Sequence, residues 1–195
     1  MKIFFLGGTF DPPHLGHLGI SKVCLNHCDK FIFIPSKQNP FKNSSYFSCL
    51  DRVEMLKMMT SKVPNVEIDL FEINSRSRVN YSIDTIKYLK DKYPHDSIHM
   101  VLGQDIIGSR YDWKDWPKIK RMVDIVCVSR PGSNSHSLKI EKEPFLFIDS
   151  LDLDVSSSLI REKFLSADSE QFLSMQPMLD DDVFKYMVDN KKCQH

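Results

Sequence analysis

The amino-acid sequence predicts an α/β fold, a Rossmann-like doubly wound parallel sheet with helices on both faces. Short apolar runs, bounded by glycine, proline or polar residues, alternate along the chain with longer segments whose apolar residues recur every three or four positions. Parallel strands need long crossover connections, and the longer segments supply them as helices. Ligands of such a sheet bind at the carboxyl ends of its strands, so we expect a site there.

The first half of the chain alternates between buried strands and amphipathic helices. Gly7 and Gly8 end the first apolar run, and Pro35 ends the second before a polar loop over 36–48. In the helix that follows, apolar side chains three residues apart lie beside charged ones, so one stripe is buried and one face is solvated. The predicted elements are strands at 2–7, 31–34 and 66–70 and helices at 15–28, 50–59 and 82–92.

The second half continues the alternation and ends in helices. Strands are predicted at 98–102, 124–129 and 145–148, with helical residues between 104 and 121 and a mainly helical tail over 156–190. No internal repeat, low-complexity segment or linker separates a second domain. We therefore expect one domain over residues 1–195, of which 155–195 form a helical C-terminal part.

The charge balance argues against nucleic acid as a partner. Lys+Arg and Asp+Glu number 26 each, so no global basic field exists to hold a polyanionic backbone. The apolar start of the chain is too short for a signal peptide, and no later stretch is long enough to span a bilayer. We therefore expect neither a nucleic acid nor a membrane as a partner.

The five cysteines indicate a reducing compartment. Their number is odd, their spacing is irregular, and a chain of 195 residues does not need disulfides for stability. Cys24 and Cys28 resemble half of a metal site, but no second pair of matching spacing follows, so a structural role is favoured. The sequence therefore predicts a cytoplasmic protein.

The most informative segment is residues 7–17, where the first strand turns into the first helix. Gly7 and Gly8 let main-chain amides approach an anion without a Cβ in the way, Thr9 adds a hydroxyl donor, and the helix presents its positive end. These features predict a phosphate site. The segment lacks both the third glycine of dinucleotide-binding turns and the Gly-Lys-Ser/Thr of phosphate loops, which excludes those two classes.

Two histidines at the start of the predicted helix are candidates for catalysis. His14 and His17 are three residues apart, so both rings can reach one phosphate group, and Gly16 between them removes bulk. Imidazoles there can donate hydrogen bonds that strengthen as negative charge builds in a transition state. The alternative is a shared metal ion, but no third ligand is tied to the pair by spacing.

Residues 7–17 resemble the signature of the HxGH nucleotidyltransferase superfamily. Residues 156–161 resemble the superfamily's C-terminal element, which grips the phosphates of ATP. Hydroxyls and amides at a helix start bind anions, and Arg161 can add a bidentate contact. Taken alone, the run of three serines at 156–158 would be interpreted as an ordinary helix cap. We expect the two segments to meet in space and to neutralise a triphosphate together.

Four further segments resemble the nicotinate-nucleotide adenylyltransferase family and extend the likeness over nearly the whole chain. They are the loop 34–42, the helix 51–56, the stretch 72–85, and residues 103–105 with Trp113 and Trp116, which follow them. The chain departs from the family at Asn80, where a serine is usual, and at Ser82, where a threonine is usual. The stretch also leaves open whether Arg76 or Arg78 is the arginine of the acceptor site.

The resemblance implies roles for individual residues. Asp105 is expected to accept hydrogen bonds from the adenosine ribose, and Trp113 is offered as a stacking platform for a pyridine ring, with a core position as the alternative. Catalysis is assigned to His14, His17 and Arg161, ATP binding to Gly7, Gly8, Thr9, Phe10, Lys42, Gly103, Asp105, Ser156 and Ser158, and acceptor binding to Tyr81, Ser82, Trp113 and Lys114.

By this resemblance the chain is expected to transfer AMP from ATP, which carries Mg²⁺, to nicotinate mononucleotide in NAD biosynthesis. The expected partners are these two nucleotides, and a homo-oligomer is left open. One alternative is another HxGH enzyme, such as a phosphopantetheine adenylyltransferase or a cytidylyltransferase. The other is a nucleotide sensor that keeps the phosphate site but has no turnover.

Overall fold

The computed structural model describes residues 1–37, 45–77, 79–103, 113–129, 145–149 and 155–192. The six strands among them form one sheet. Every neighbouring pair of strands is parallel, and the order across the sheet is β3-β2-β1-β4-β5-β6. The strands are β1 (Lys2–Gly8), β2 (Lys30–Pro35), β3 (Val66–Ile68), β4 (Ser97–Gly103), β5 (Asp124–Ser129) and β6 (Phe145–Asp149). The predicted doubly wound parallel sheet is confirmed.

Helices connect the strands and follow the last one. Within the described residues they are α1 (Leu15–Cys24), α2 (Cys49–Thr60), α3 (Phe71–Asn74), α4 (Ser82–Lys92), α5 (Trp116–Met122), α6 (Ser157–Leu165), α7 (Ser169–Leu173) and α8 (Asp181–Lys192), with a 3₁₀ turn at Gln176–Met178. Most of them lie where the apolar periodicity predicts a helix.

Two side-chain contacts explain where the observed elements differ from the predicted ones. Helix α1 ends at Cys24, not at residue 28, because Asp29 is already paired with β1: its N–H donates to the Lys2 carbonyl at 2.8 Å and its carboxylate accepts the Lys2 N–H at 2.6 Å. Strand β3 stops at Ile68 because the Asp69 carboxylate accepts the Phe71 N–H at 2.8 Å and starts α3. Helix α3 has a single turn, too short for a periodic signal.

The core lies on both faces of the sheet. Side chains alternate along a strand, so Phe4 of β1 lies on one face and Phe5 on the other. The Phe4 face is covered by apolar residues of α1, α2, α6 and α8, and the Phe5 face by those of α4 and α5. The C-terminal helices therefore share the core of the strands. No helix of the described chain has both the length and the apolar character needed to cross a bilayer.

The sheet has its topological switch point between β1 and β4. The chain proceeds from β1 to β2 and β3 on one side, and β4 to β6 lie on the other. The register pairs Phe5 with Met100, so the carboxyl ends of the two strands, Gly8 and Gly103, reach the same edge. Ligands of open parallel sheets bind in the crevice at this point.

Candidate active site

Glycines line the switch point for two different reasons. A Cβ built on Gly7 or on Gly103 would meet no atom within 4 Å, so these two residues face open space at the ends of adjacent strands. A Cβ on Gly8 would lie 3.0 Å from the Phe10 ring. Gly8 is therefore required by the packing of Phe10, whereas Gly7 and Gly103 leave room for a ligand.

Phe10 lies in the loop between β1 and α1, and its side chain packs into the core beneath that loop. Its φ of 51° lies in the left-handed region, which is uncommon for a bulky residue. Its ring is only 3% exposed and makes edge contacts with the rings of His17 at 5.0 Å and Phe33 at 5.4 Å. Because the ring is buried, a contact between Phe10 and ATP would come from the main chain.

The two histidines form one stacked unit. His14 is the residue before α1, and its ring centroid lies 3.7 Å from that of His17, with the planes inclined by 28°. The main-chain N–H of His14 donates to Nδ1 of His17 at 3.2 Å. Since Nδ1 accepts this bond, the proton of a neutral His17 is on Nε2. His17 therefore has a hydrogen-bond donor on the side of the ring that faces away from the main chain.

The surroundings of His17 favour its neutral form. Burial lowers the pKa of His17 well below the ordinary value of 6.5, and the neighbouring His14 lowers it further. In the part of the chain that the structure describes, no group of three His, Cys, Asp or Glu side chains could hold a metal ion. The His17 ring thus offers a neutral donor to an incoming anion.

Gly16 lets the C-terminal segment approach the histidines. A Cβ on Gly16 would lie 2.9 Å from Cγ1 of Val155 and 3.0 Å from the His14 ring. Val155 directly precedes the serine run, and it is buried in the same core as β1. A side chain at residue 16 would therefore push His14 and the serine run apart.

The start of α6 is bonded to the loop between β1 and α1, as the sequence predicts. Arg161 donates from Nη1 to the Asp11 carbonyl at 2.6 Å, and the same nitrogen lies 3.6 Å from the Asp11 carboxylate. Ser157 donates from Oγ to the Pro12 carbonyl at 2.8 Å. These contacts join residues that are 145 and 150 positions apart in the chain. The expected convergence of the two segments is confirmed.

The serines of the run have separate tasks. Ser156 caps α6, since its Oγ accepts the Leu159 N–H at 3.2 Å. Ser158 accepts a hydrogen bond from Nη2 of Arg161 at 3.2 Å and so helps to orient the guanidinium. Ser157, which the sequence analysis did not single out, makes the contact with the loop. The cap interpretation therefore holds for Ser156, and ATP contacts of Ser156 and Ser158 stay predictions.

Asp11 is a further residue that sequence reasoning missed. Its buried carboxylate accepts the main-chain N–H groups of Tyr46 at 2.9 Å and Phe47 at 2.8 Å. It thereby ties the loop before α1 to the segment that leads into α2. Its position in the motif could have revealed it. A carboxylate next to expected phosphates would repel them, so its presence there indicates a structural role.

The predicted acceptor residues come from two neighbouring segments. Tyr81 is the residue before α4, Ser82 is its first residue, and the Lys114 ammonium lies 4.2 Å from the centre of the Tyr81 ring. The Trp113 ring is half-buried and contacts Trp116 edge-on at 6.2 Å, whereas Trp116 is fully in the core. The structure therefore brings Tyr81 and Lys114 together and leaves part of Trp113 accessible.

Three of the residues named from the sequence lie outside the described ones. They are Lys42, Arg78 and Asp105, so their predicted roles are not tested by the structure. Arg76 is described and exposed. Asn80, where the chain departs from the family pattern, donates from its side-chain amide to the Glu72 carbonyl at 3.1 Å.

Glu72 holds the start of α4 from within the core. Its carboxylate is 8% exposed and accepts a hydrogen bond from Oγ1 of Thr85 at 2.6 Å. Burial raises the pKa of Glu72 from 4.5 to about 7, although the bond from Thr85 acts in the opposite direction. Glu72 thus contacts the acceptor segment at both Asn80 and Thr85.

We expect Glu72→Gln to stabilise the protein at high pH only. The folded pKa of Glu72 lies above the unfolded one, so the folded state loses relative stability as the pH rises from 4.5 to about 7. A glutamine has no such loss, and its advantage should grow across that window to about 3 kcal/mol. Urea unfolding of both proteins at several pH values measures this difference. Glu162→Gln, at an exposed position, is the control, and an advantage that does not change with pH would contradict the prediction.

Comparison with known proteins adds family relationships to this geometry. The sequence model of the cytidylyltransferase-like family matches residues 5–163. A probable nicotinate-nucleotide adenylyltransferase of Aliarcobacter butzleri is 40% identical over 83% of this chain and 86% of the relative. The nicotinate-nucleotide adenylyltransferase of Bacillus subtilis is 34% identical over 97% of this chain and 96% of the relative.

A solved structure agrees at the level of the fold. The Plasmodium falciparum nicotinic acid mononucleotide adenylyltransferase, complexed with NaAD, superposes with a TM-score of 0.79 at 18% identity, covering 97% of this chain and 95% of that chain. The arrangement of the sheet and its helices is therefore one that is known from solved structures.

Proposed function

Because this chain belongs to the nicotinate-nucleotide adenylyltransferase family, among the cytidylyltransferase-like proteins, we propose that it transfers AMP from ATP to nicotinate mononucleotide in NAD biosynthesis. The products are nicotinate adenine dinucleotide and pyrophosphate. The observation that carries the proposal is the hydrogen bond from Arg161 to the Asp11 carbonyl. This bond joins the start of α6 to the loop between β1 and α1. Both segments carry hydrogen-bond donors that can bind phosphate, and His17 lies beside them.

The nucleophile needs little assistance from the protein. A phosphomonoester has a second pKa near ~6, so the acceptor phosphate is largely dianionic at neutral pH and requires no general base. One of its oxygens forms a bond to the α-phosphorus of ATP as the bond to the β-phosphate oxygen breaks, and pyrophosphate leaves with that electron pair. The obstacle is the repulsion between two anions, which calls for alignment and positive electrostatics.

His17 supplies a donor whose strength rises during the reaction. In the free enzyme the lowered pKa keeps the ring neutral, which avoids the cost of a buried charge. Its Nε2–H donates to a phosphate oxygen, and this hydrogen bond strengthens as negative charge builds at that oxygen in the transition state. His14, stacked on it at 3.7 Å, is within reach of the same phosphate group. Arg161 adds a permanent positive charge from α6.

The Mg²⁺ of the reaction enters as part of the MgATP substrate. Phosphate oxygens and waters supply most ligands of Mg²⁺ at such sites. The Asp11 carboxylate is the acidic group of the loop, and both of its oxygens already accept main-chain N–H groups. Among the described residues, these contacts support a metal that is held by the nucleotide.

The acceptor is bound, in this proposal, between the starts of α4 and α5. The half-buried Trp113 offers part of an aromatic face to the pyridine ring. The Lys114 ammonium beside Tyr81 supplies positive charge where the acceptor would carry a carboxylate. Ser82, at the first position of α4, adds a hydroxyl and a free helix amide. These features support nicotinate over nicotinamide.

The proposal extends to the compartment. Burial raises the pKa of Cys24 to about 12 and that of Cys127 to about 11, and both thiols are free. Free core thiols support a reducing, cytoplasmic setting. The question of a homo-oligomer stays open.

An acceptor panel tests the proposed function. Purified protein is incubated with MgATP and with nicotinate mononucleotide, nicotinamide mononucleotide or phosphopantetheine, and pyrophosphate and dinucleotide are measured. We expect nicotinate adenine dinucleotide, with a kcat/KM for the nicotinate acceptor about tenfold or more above that for the nicotinamide one. Reactions without an acceptor are the control for ATP hydrolysis. Product with phosphopantetheine alone, or no product with any acceptor, would overturn the proposal.

A further inference from the structure

Arg52 is a fully buried arginine that packs against the loop between β1 and α1. It lies on α2 and is 0% exposed. Its Nη1 donates to the Thr9 carbonyl, and its Nη2 lies 2.9 Å from the Ser36 carbonyl. The same nitrogen is 3.4 Å from the Lys37 carbonyl and 3.2 Å from Sγ of Cys49. Among the described residues, its hydrogen-bond partners are thus main-chain carbonyls and a thiol.

These bonds fix the direction of a main-chain donor. In a trans peptide unit the C=O and the N–H point in opposite directions. Because the Thr9 carbonyl points at the guanidinium, the N–H of Phe10 points away from α2. Phe10 has a φ of 51°, so this peptide is held in a conformation that needs support. A carbonyl bound to a cation is also polarised, which makes the N–H of the same unit a stronger donor.

Arg52 also joins the ends of two neighbouring strands. Thr9 follows β1, and Ser36 follows β2. The Ser36 N–H donates to the Gly8 carbonyl at 2.8 Å, so the two strand ends are already in contact. A guanidinium stays charged at every working pH and can bridge several carbonyls, which an ammonium does less well.

We propose that Arg52 is a positioning residue for adenylyl transfer, which holds the peptide between Thr9 and Phe10 so that its N–H donates to a phosphate of ATP. The inference rests on the proposed function for its effect on turnover. Arg52 acts through the main chain, since it is buried and cannot itself touch the nucleotide. Its removal should therefore impair ATP binding and turnover together, beyond any loss of stability.

Two variants and a matched control test this role. Arg52→Met keeps the length of the side chain but removes its charge. Arg52→Lys keeps the charge but lacks the planar set of N–H donors that a guanidinium has. We expect Arg52→Met to lower kcat and ATP affinity by about tenfold or more each, and Arg52→Lys to recover part of both. Leu56→Ala, which removes a fully buried side chain one turn further along α2, should lower the urea midpoint yet leave both constants within about twofold.

ATP affinity is measured without an acceptor, by calorimetry, at a temperature at which circular dichroism shows each variant folded. If Arg52→Met does not fold, Arg52→Lys carries the test. Variants with kcat and ATP affinity within about twofold of the parent would overturn the inference, as would equal effects in Leu56→Ala. Failure of the parent to form any dinucleotide would overturn the proposed function instead, because ATP affinity reports on Arg52 independently of the acceptor.

Discussion

Replacing His17 by alanine should lower the kcat for dinucleotide formation by about a hundredfold or more, because a donor to a transition-state oxyanion contributes roughly 2–4 kcal/mol. The ring rests on Phe10 at 5.0 Å and on His14 at 3.7 Å, and its Nδ1 is held by a main-chain N–H. These contacts direct Nε2–H outward. Alanine removes that donor, and it also removes the acceptor of the His14 N–H at the start of α1.

The measurement is steady-state kcat at saturating MgATP and nicotinate mononucleotide. His27→Ala is the matched control, because His27 is exposed beyond the end of α1, and we expect unchanged kinetics for it. A loss of less than about tenfold in His17→Ala would remove His17 from the groups that stabilise the transition state.

Replacing Arg161 by methionine should reduce kcat/KM for ATP by about a hundredfold. The guanidinium donates to the Asp11 carbonyl at 2.6 Å and to Ser158 at 3.2 Å, so it is oriented before the nucleotide arrives. Methionine removes a permanent charge from the triphosphate site and also a bond between the two segments. Arg161→Lys should recover only part of the activity, since an ammonium cannot make the paired contacts.

Lys163→Met is the control for this second variant. Lys163 is on the same helix, two residues on, and donates to Ser174 at 2.7 Å on the outer surface. We expect its kcat/KM to stay within about twofold of the parent, because an exposed contact of this kind contributes little. Arg161→Met with kcat/KM within about threefold of the parent would show that the Arg161 guanidinium supplies no group to the reaction.

The sheet and most helices could be predicted because their signal is local. Apolar periodicity and the glycines and prolines that end each run are visible within a short window, and both faces of the sheet follow from the alternation. Helix α3 was missed because one turn shows no period. The end of α1 was missed because it depends on the pairing of Asp29 with Lys2 in another strand.

Sequence reasoning singled out His17 and Arg161 from short patterns, but it passed over other residues of the same or similar motifs. Asp11, Ser157 and Arg52 act through main-chain groups of distant segments, such as the Pro12 carbonyl 145 positions from Ser157, and no local pattern shows these contacts.

Polar side chains such as Glu72 present a related difficulty. A charged residue in a sequence is assumed to be solvated, since most carboxylates are. Only the fold shows that the carboxylate of Glu72 is buried against Thr85, and only burial explains its raised pKa.

The central claim is that the corner after β1 and the start of α6 bind one triphosphate together. A crystal structure of the protein with a non-hydrolysable ATP analogue tests it most directly. The account predicts phosphate oxygens of a single nucleotide within hydrogen-bonding distance of both Nε2 of His17 and the Arg161 guanidinium. A bound nucleotide whose phosphates contact only one of these two groups would contradict it.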